Sequence, residues 1–181
     1  MNIIIISLSS TIVFCVLLVW YITTYNNYQS FIIRINEVEA NIDTVLRKRF
    51  DLLNKSIAII KGNAPIEEDI LEIIVKLRSR KISNFDLDRE LYNAINEFNS
   101  YGEKFPELKS VENYVKIDIA LLESETEIEA LRKYYNDVIT DYNKLVRSFP
   151  SNVVGNMSSF KEKTYFDGKD MTDDIYDDFK L

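Results

Sequence analysis

Carboxylates are the most abundant groups in this chain that could do chemistry, and several lie close together. Glutamates alternate along one stretch, at Glu123, Glu125, Glu127 and Glu129. Residues four apart share a helix face, so these side chains form two carboxylate pairs if the stretch is helical. Paired carboxylates on helices can bind two metal ions, although a solvated helix face has the same composition.

The residues that metal or acid–base chemistry would need beside these carboxylates are absent. The 181-residue chain has no histidine, which excludes an imidazole base and the Glu-x-x-His pairs of two-metal helical sites. It also has no glycine-rich phosphate loop, no serine nucleophile elbow and no zinc-ligand spacing. The only cysteine, Cys15, lies in an apolar stretch and cannot form an intrachain disulfide. We therefore predict a protein that is not an enzyme and binds no cofactor or metal.

Composition restricts the fold and the partner. The formal net charge is -7, which makes nucleic acid a poor partner. The chain contains only 4 glycines and 3 prolines, while Ile, Leu, Asn, Glu and Lys are abundant, and this predicts an all-α fold. Its length leaves room for one domain beyond a membrane segment.

An uncharged stretch from Ile3 to Ile22 predicts a membrane anchor. Twenty residues at about 1.5 Å each span roughly 30 Å of hydrocarbon. Aromatic residues gather at the end of the stretch, where amphipathic rings favour the interface. A cleaved signal peptide is the alternative, but no basic residue precedes the stretch and no small-x-small site follows it. We predict an uncleaved anchor over residues 1–24 that contacts the bilayer through residues 3–22.

Basic residues predict the orientation of this anchor. None precedes it, whereas Arg34 and the cluster Arg47-Lys48-Arg49 follow it. The positive-inside rule therefore predicts a single-pass protein with a cytoplasmic C-terminal domain. Only Arg34 lies within about twenty residues of the membrane, where the rule has most force.

Apolar spacing and helix-ending residues predict four helices after the anchor. The first continues out of the membrane to Gly62, with an apolar stripe at Phe31, Ile35, Val38, Ile42, Val45 and Leu52. A second is predicted at about 65–81 and a third at about 86–101, stopped by Gly102. Pro106 opens the fourth, which runs to about Ser148. We assign residues 25–160 to this helical domain and residues 161–181 to an acidic, flexible tail.

The fourth predicted helix contains two Tyr-Asn pairs seven residues apart, Tyr135-Asn136 and Tyr142-Asn143. Heptad spacing predicts a coiled-coil seam made of Ile128, Leu131, Tyr135, Val138, Tyr142, Leu145 and Phe149. The asparagines flank this seam, in line with Glu125, Glu129 and Arg132. We interpret them as boundary amides that fix helix register; a polar groove for a ligand is the alternative.

Arg49 interrupts the apolar stripe of the first helix after the anchor. An unpaired buried guanidinium is costly, so this side chain must reach water or a carboxylate. Glu125 or Glu129 could supply that carboxylate if the two helices run antiparallel. We interpret such a pair as a device that fixes helix register rather than as a catalytic group. Arg49, Glu125, Glu129 and Arg132, with the two Tyr-Asn pairs, are the predicted structural or interaction residues.

Six pieces of the sequence together carry a resemblance to a known family. They are YN at 25–26, IDTVLRKRFDLL at 42–53, KGNA at 61–64, FPELK at 105–109, ETEIEALRKYYNDVITDYNKLVRSFPS at 125–151 and YF at 165–166. With these pieces, the chain resembles the LemA family of bacterial membrane-anchored helical proteins. The chain departs from the family at Asn41, Asn54 and Ile66, where Trp, Pro and His are usual. The resemblance implies an elongated antiparallel bundle of four helices in the bacterial plasma membrane. It implies no defined biochemical activity.

Two functions follow as hypotheses. The first is a membrane-anchored interaction or scaffold protein with an unidentified protein partner. The alternative is a signalling or assembly component that forms homo-oligomers through its anchor and first helix. In the acidic tail, Met171, Ile175 and Phe179 recur at intervals of four. So short a segment does not hold a helix alone, so we predict that it folds only when it docks on a partner.

Overall fold

A computed structural model gives the fold and describes residues 2–63 and 84–166. Every regular element within these ranges is helical, which confirms the all-α prediction. The elements are α1 (Asn2–Asn63), α2 (Asn84–Lys104), the 3-10 helix η1 (Pro106–Ser110), α3 (Glu112–Arg147) and α4 (Ser151–Met157). The predicted helix at 65–81 and the predicted docking motif at 171–179 lie outside the described residues.

Helix α1 has two parts with different surroundings. No proline or glycine interrupts it before Gly62, so it continues unbroken to Asn63. Its N-terminal part is exposed on all sides, with a mean hydropathy of 2.7 and none of its most apolar window buried. It is the one helix in the described ranges that is long and apolar enough to cross a membrane. From Thr24 onward, by contrast, one face of α1 is buried at the spacing of an amphipathic helix.

The chain divides into two compact units. Unit 1 comprises Met1–Val38 and Tyr135–Tyr165. Unit 2 comprises Glu39–Tyr134 and Phe166–Leu181. The core of unit 1 is formed by Tyr28, Ile35 and Val38 of α1, Tyr135, Val138, Ile139 and Tyr142 of α3, and Val154 of α4.

The C-terminal end of the predicted seam differs from the expectation. Tyr135, Val138 and Tyr142 are buried as predicted, but Phe149 is 83% exposed. Helix α3 ends at Arg147, so Phe149 lies in the turn before α4 and not on the seam face. Helix α4 was not predicted, because the fourth predicted helix was expected to end at about Ser148 and no helix was expected after it. Pro150 precedes α4, and a proline suits the start of a helix.

Unit 2 has an apolar core between α1, α2, η1 and α3. Its buried residues include Ile42, Leu46 and Leu53 of α1, Leu91, Ile95 and Phe98 of α2, Leu108 of η1, and Leu121 and Ile128 of α3. The rings of Phe98 and Tyr114 join α2 to α3, with centroids 4.9 Å apart. These contacts hold the three helices around the charged site described below.

The sequence predicted that Gly102 ends α2, but the helix continues to Lys104. Gly102 is buried against the ring of Tyr114, and a Cβ there would overlap the Tyr114 hydroxyl. The glycine therefore permits close approach of α2 to α3 rather than a left-handed helix end.

Pro106 does not open the long helix directly. It begins the five-residue helix η1, and α3 starts only at Glu112. The intervening Val111 has an extended backbone, with φ -85° and ψ 110°, which interrupts the helical path. The predicted fourth helix is therefore two elements.

Candidate functional site

Four charged side chains from three helices meet inside unit 2. Arg49 of α1 donates through Nη2 to Glu125 Oε2 on α3, at 2.5 Å, and through Nη1 to Asp88 Oδ1 on α2, at 3.4 Å. Arg132 of α3 donates through Nη2 to Asp88 Oδ2. Its Nη1 lies 4.0 Å from Glu125 Oε1. Positive and negative groups therefore alternate around a closed ring, which we call the ion cluster.

The ion cluster is almost fully removed from water. The side chains of Arg49 and Asp88 are 0% and 3% exposed, and those of Arg132 and Glu125 are 8% and 20% exposed. Two guanidiniums and two carboxylates cancel in charge, which makes their burial tolerable. Among the described residues, the buried Nε atoms of Arg49 and Arg132 have no hydrogen-bond partner, and the carboxylates of Asp88 and Glu125 hold the two guanidiniums through their Nη atoms.

Burial raises the pKa of Asp88 above its ordinary value, and the guanidiniums of Arg132 and Arg49 oppose that rise. The negative charge of Glu125 adds to it. The ring of Phe166 lies against this side of the cluster, with its centroid 5.9 Å from the Arg132 guanidinium carbon. Phe166 also packs on Phe85, at 4.4 Å between centroids. Phe166 therefore lies over Arg132, and Phe85 packs on Phe166.

The ion cluster can fix the positions of three helices, and its carboxylates are already engaged by guanidiniums. Elsewhere in the described ranges, no group of three or more His, Cys, Asp or Glu side chains could hold a metal ion. The arrangement supports the positioning of α1, α2 and α3 relative to one another.

The structure brings together three of the predicted site residues, Arg49, Glu125 and Arg132. Glu129 is exposed and lies outside the ring. Sequence reasoning missed Asp88, the carboxylate shared by both arginines. It precedes the buried Leu91 by three residues and Ile95 by seven, so it sits on the apolar face of α2. A charge on an apolar face was the signal that identified Arg49, and it could have identified Asp88.

The second Tyr-Asn pair binds a stretch of chain that follows α4. This stretch, residues 160–165, has no regular structure, and we call it the strap. Asn143 donates through Nδ2 to the Lys163 carbonyl at 2.8 Å, and its Oδ1 accepts from the Lys163 amide at 2.9 Å. Tyr142 Oη donates to the Lys161 carbonyl at 2.9 Å. The pair therefore recognises the main chain of the strap.

These contacts bear on two of the sequence predictions. Asn143 bonds the strap instead of a neighbouring helix, which differs from the role of register amide. Asn136 is half-buried, and its main-chain carbonyl accepts a hydrogen bond from Thr140 Oγ1. The sequence predicted that the flexible tail begins at residue 161. The main chain of Lys161 and Lys163 is nevertheless bonded to α3.

Tyr28 joins α1 to the C-terminal part of unit 1. Its hydroxyl has one proton to donate and shares it between the carbonyls of Leu145, at 2.8 Å, and Ser151, at 3.1 Å. Its ring stacks on Phe160 of the strap, with centroids 4.5 Å apart and planes within 8°. The ring of Tyr142 meets it edge-on at 6.1 Å. Burial raises the pKa of both tyrosines, so both hydroxyls stay neutral hydrogen-bond donors.

These features define a class of all-helical proteins in which an apolar N-terminal helix continues into a domain with polar interior sites. The model of the LemA family matches residues 38–176, and the chain belongs to the LemA family. The match confirms the resemblance of the sequence, and it includes the ion cluster, the second Tyr-Asn pair and the strap.

Individual relatives match over shorter ranges. Protein LemA of Metamycoplasma hominis is 28% identical over 128 residues, which cover 66% of this chain and 58% of that protein. Magnetosome proteins MamQ 1 and MamQ 2 of Paramagnetospirillum magneticum are each 30% identical over 77 residues. That match covers 42% of this chain and 28% of theirs. The chain thus spans less than two thirds of the length of these relatives.

Proposed function

We propose that this chain is a membrane-anchored interaction protein of the LemA type, whose helical domain serves as a scaffold for a protein partner. The observation that carries the proposal is the change of surroundings along α1. Ile3, Ile6 and Phe14 are 83%, 65% and 64% exposed, whereas Tyr28, Ile35 and Ile42 are at most 1% exposed. An apolar helix that finds no protein partner needs a hydrocarbon environment, and a bilayer supplies it.

A groove on unit 2 supports the interaction part of the proposal. It has a volume of about 350 Å³ and is lined by Lys55, Ala58 and Ile59 of α1 and by Asn113, Lys116 and Ile117 of α3. Lys116 is paired with Glu112 at 2.6 Å, so the apolar floor beside Lys55 suits an aliphatic side chain that lies next to an acidic residue. The partner that fits it is a protein segment of that composition.

A photo-reactive amino acid in place of Ala58, in the full chain in its native membranes, tests this groove. We expect a discrete cross-linked product that can be identified by mass spectrometry. The matched control is the same amino acid in place of Ala40, an exposed alanine on the same helix and in the same unit. Identical product patterns at the two positions would show that the groove selects no partner.

The proposed location is the bacterial plasma membrane, with the C-terminal domain in the cytoplasm. Arg34 and Arg47, which are exposed after the apolar stretch, support this orientation. Protease added outside intact cells should then leave the domain whole and should digest it after permeabilisation. Digestion while the membrane is sealed would show that the domain lies outside the cell.

One observation favours the alternative, a signalling or assembly component. Helix α1 is unbroken from the apolar stretch into both units, so a partner of the anchor could act on the domain through it. Mass photometry of the full chain in lipid nanodiscs separates the two functions. A scaffold should be monomeric. An assembly component should form oligomers that disappear when residues 3–22 are replaced by an unrelated membrane-spanning segment.

A further inference from the structure

Helix α4 and the turn before it carry an exposed apolar face. Phe149, Val153 and Met157 are 83%, 44% and 71% exposed. Val153 and Met157 are four residues apart in α4 and share one side of it, and Phe149 lies in the turn that leads into the helix. On the other side, Val154 and Gly155 are buried. A Cβ at Gly155 would lie only 2.6 Å from Tyr28 Oη, so α4 is held close to α1. The inner side of α4 is therefore fixed and the outer side is uncovered.

The position of α4 along α1 identifies what can cover this face. Tyr21 is the last residue but one of the apolar stretch from Ile3 to Ile22, and its Oη lies 3.3 Å from Ser158 Oγ. Ser158 directly follows α4. The ring of Tyr25 packs against the ring of Phe160, with centroids 5.7 Å apart. The end of α4 thus lies beside the residues at which α1 would leave the hydrocarbon.

The charge of this part of the chain fits an anionic surface. Residues 142–161 contain three basic residues, Lys144, Arg147 and Lys161, and no acidic one, in a chain with a net charge of -7. The side chains of Lys144 and Arg147 are 72% and 70% exposed. Asp141 and Glu162 each lie 3.7 Å from one of them, but exposed pairs of this kind are weak. Basic residues near an anionic bilayer are attracted to it.

We propose that the face formed by Phe149, Val153 and Met157 inserts into the interface of the same bilayer that anchors α1. This inference rests on the proposed anchoring. An amphipathic helix lies in the interface with its apolar side chains among the acyl chains and its basic side chains at the headgroups. The domain then has a second membrane contact, which limits its rotation and tilt at the surface.

Nitroxide labels on the full chain in vesicles of phosphatidylcholine and phosphatidylglycerol test the inference. In a Cys15→Ala background, we label Met157→Cys and, as the control, Ile33→Cys. Ile33 is 66% exposed in the same unit, and it lies eleven residues beyond Ile22, or about 16 Å along the helix. The ratio of collisions with oxygen to collisions with a water-soluble nickel complex should be several-fold higher at position 157 than at position 33.

A label on the native Cys15 separates this inference from the anchoring. If Cys15 collides mainly with the nickel complex, the anchoring itself is wrong. If Cys15 lies in hydrocarbon while positions 157 and 33 give equal ratios, only the interfacial contact is wrong. Shielding of position 157 from both reagents would mean that a protein covers the face, which also overturns the inference. Val153→Cys, on the same face, replaces Met157→Cys if that variant loses its helical circular dichroism.

Discussion

The two units each contain a buried polar site, and the sites are built from opposite chemistry. In unit 1, Tyr28, Tyr142 and Asn143 are neutral, and they hold main-chain groups of α3, α4 and the strap. In unit 2, the ion cluster joins side chains only, and each partner carries a full charge. A neutral site that loses one hydrogen bond keeps its remaining contacts. A charged site that loses one member leaves an uncompensated charge in the core. We therefore expect the two sites to fail by different amounts.

The largest effect is expected for Asp88→Ala in unit 2. The substitution leaves Arg132 with the distant Glu125 and deprives Arg49 of one acceptor. Breaking a buried ion pair from one side costs about 3–5 kcal/mol. Urea unfolding of the full chain in detergent, followed by circular dichroism, measures the loss. The control is Glu97→Ala, an exposed acid on the same helix, for which we expect a change within about 0.5 kcal/mol. Equal stability of the two variants would contradict a structural role of the ion cluster.

A smaller loss is expected for Gly155→Ala in unit 1. The added methyl group meets Tyr28 Oη at 2.6 Å, and crowding of a packed site costs about 1–3 kcal/mol. Tyr28→Phe removes the hydroxyl, so Gly155→Ala should cost less in that background than in the parent. The two changes should therefore be non-additive in the same unfolding experiment. Additive losses would mean that Tyr28 does not set the distance between α1 and α4.

Alkaline pH should weaken unit 1 without removing a contact by mutation. Burial raises the pKa of Tyr28 and Tyr142 above 10.0, so the unfolded chain loses these protons before the folded one does. Their contribution to stability is complete below pH 10 and is lost as the pH rises through their folded-state pKa values. The unfolding temperature should be level from pH 7 to 9 and fall above 10. Burial also raises the pKa of Tyr114 in unit 2, so both units contribute to the fall of the unfolding temperature.

Substitutions of single tyrosines test which of them cause the fall of the unfolding temperature at alkaline pH. Tyr28→Phe should make the fall less steep, whereas Tyr134→Phe, at a residue 48% exposed, should leave it unchanged. If Tyr28→Phe gave the parent's profile, Tyr28 would not be a source of the fall.

The smallest global effect is expected for Asn143→Leu. Leucine has a similar volume but makes neither bond to Lys163, so the main chain at Lys163 should detach from α3 while Phe160 stays packed on Tyr28 and the helices stay folded. Hydrogen exchange of the Lys163 amide should accelerate many-fold, and the free energy of unfolding should fall by only about 1 kcal/mol. Asn136→Leu is the comparison at the equivalent heptad position. A strap amide that stays protected in Asn143→Leu would show that other contacts hold this segment.

Helical periodicity made the first part of this fold predictable. The stripe of α1 from Ile35 to Val45 and the anomalous Arg49 are local patterns, readable because an apolar face repeats every three or four residues. Asp88 carries the same signal on α2, and attention to a charge beside Leu91 would have found it. The helix ends were less accurate, because Gly102 permits close contact with Tyr114 and only the packed structure reveals that use.

The strap could not be predicted in this way. Asn143 and Tyr142 bind main-chain groups of residues 161 and 163, and such groups are the same whatever the side chain. Irregular segments have no period that could mark them. The sequence therefore indicated that the second Tyr-Asn pair was unusual without indicating what it binds.

The separation of Tyr28 from its acceptors along the chain has a consequence for synthesis. Tyr28 bonds to the carbonyl of Leu145, 117 residues later, and to that of Ser151, 123 residues later. At roughly 5–20 residues per second, about 6–23 s separate the emergence of the two ends of the first bond. During that time the apolar face around Tyr28 and Ile35 lacks the part of α3 and α4 that covers it in the folded unit. Unit 1 therefore cannot close until the ribosome has reached the strap.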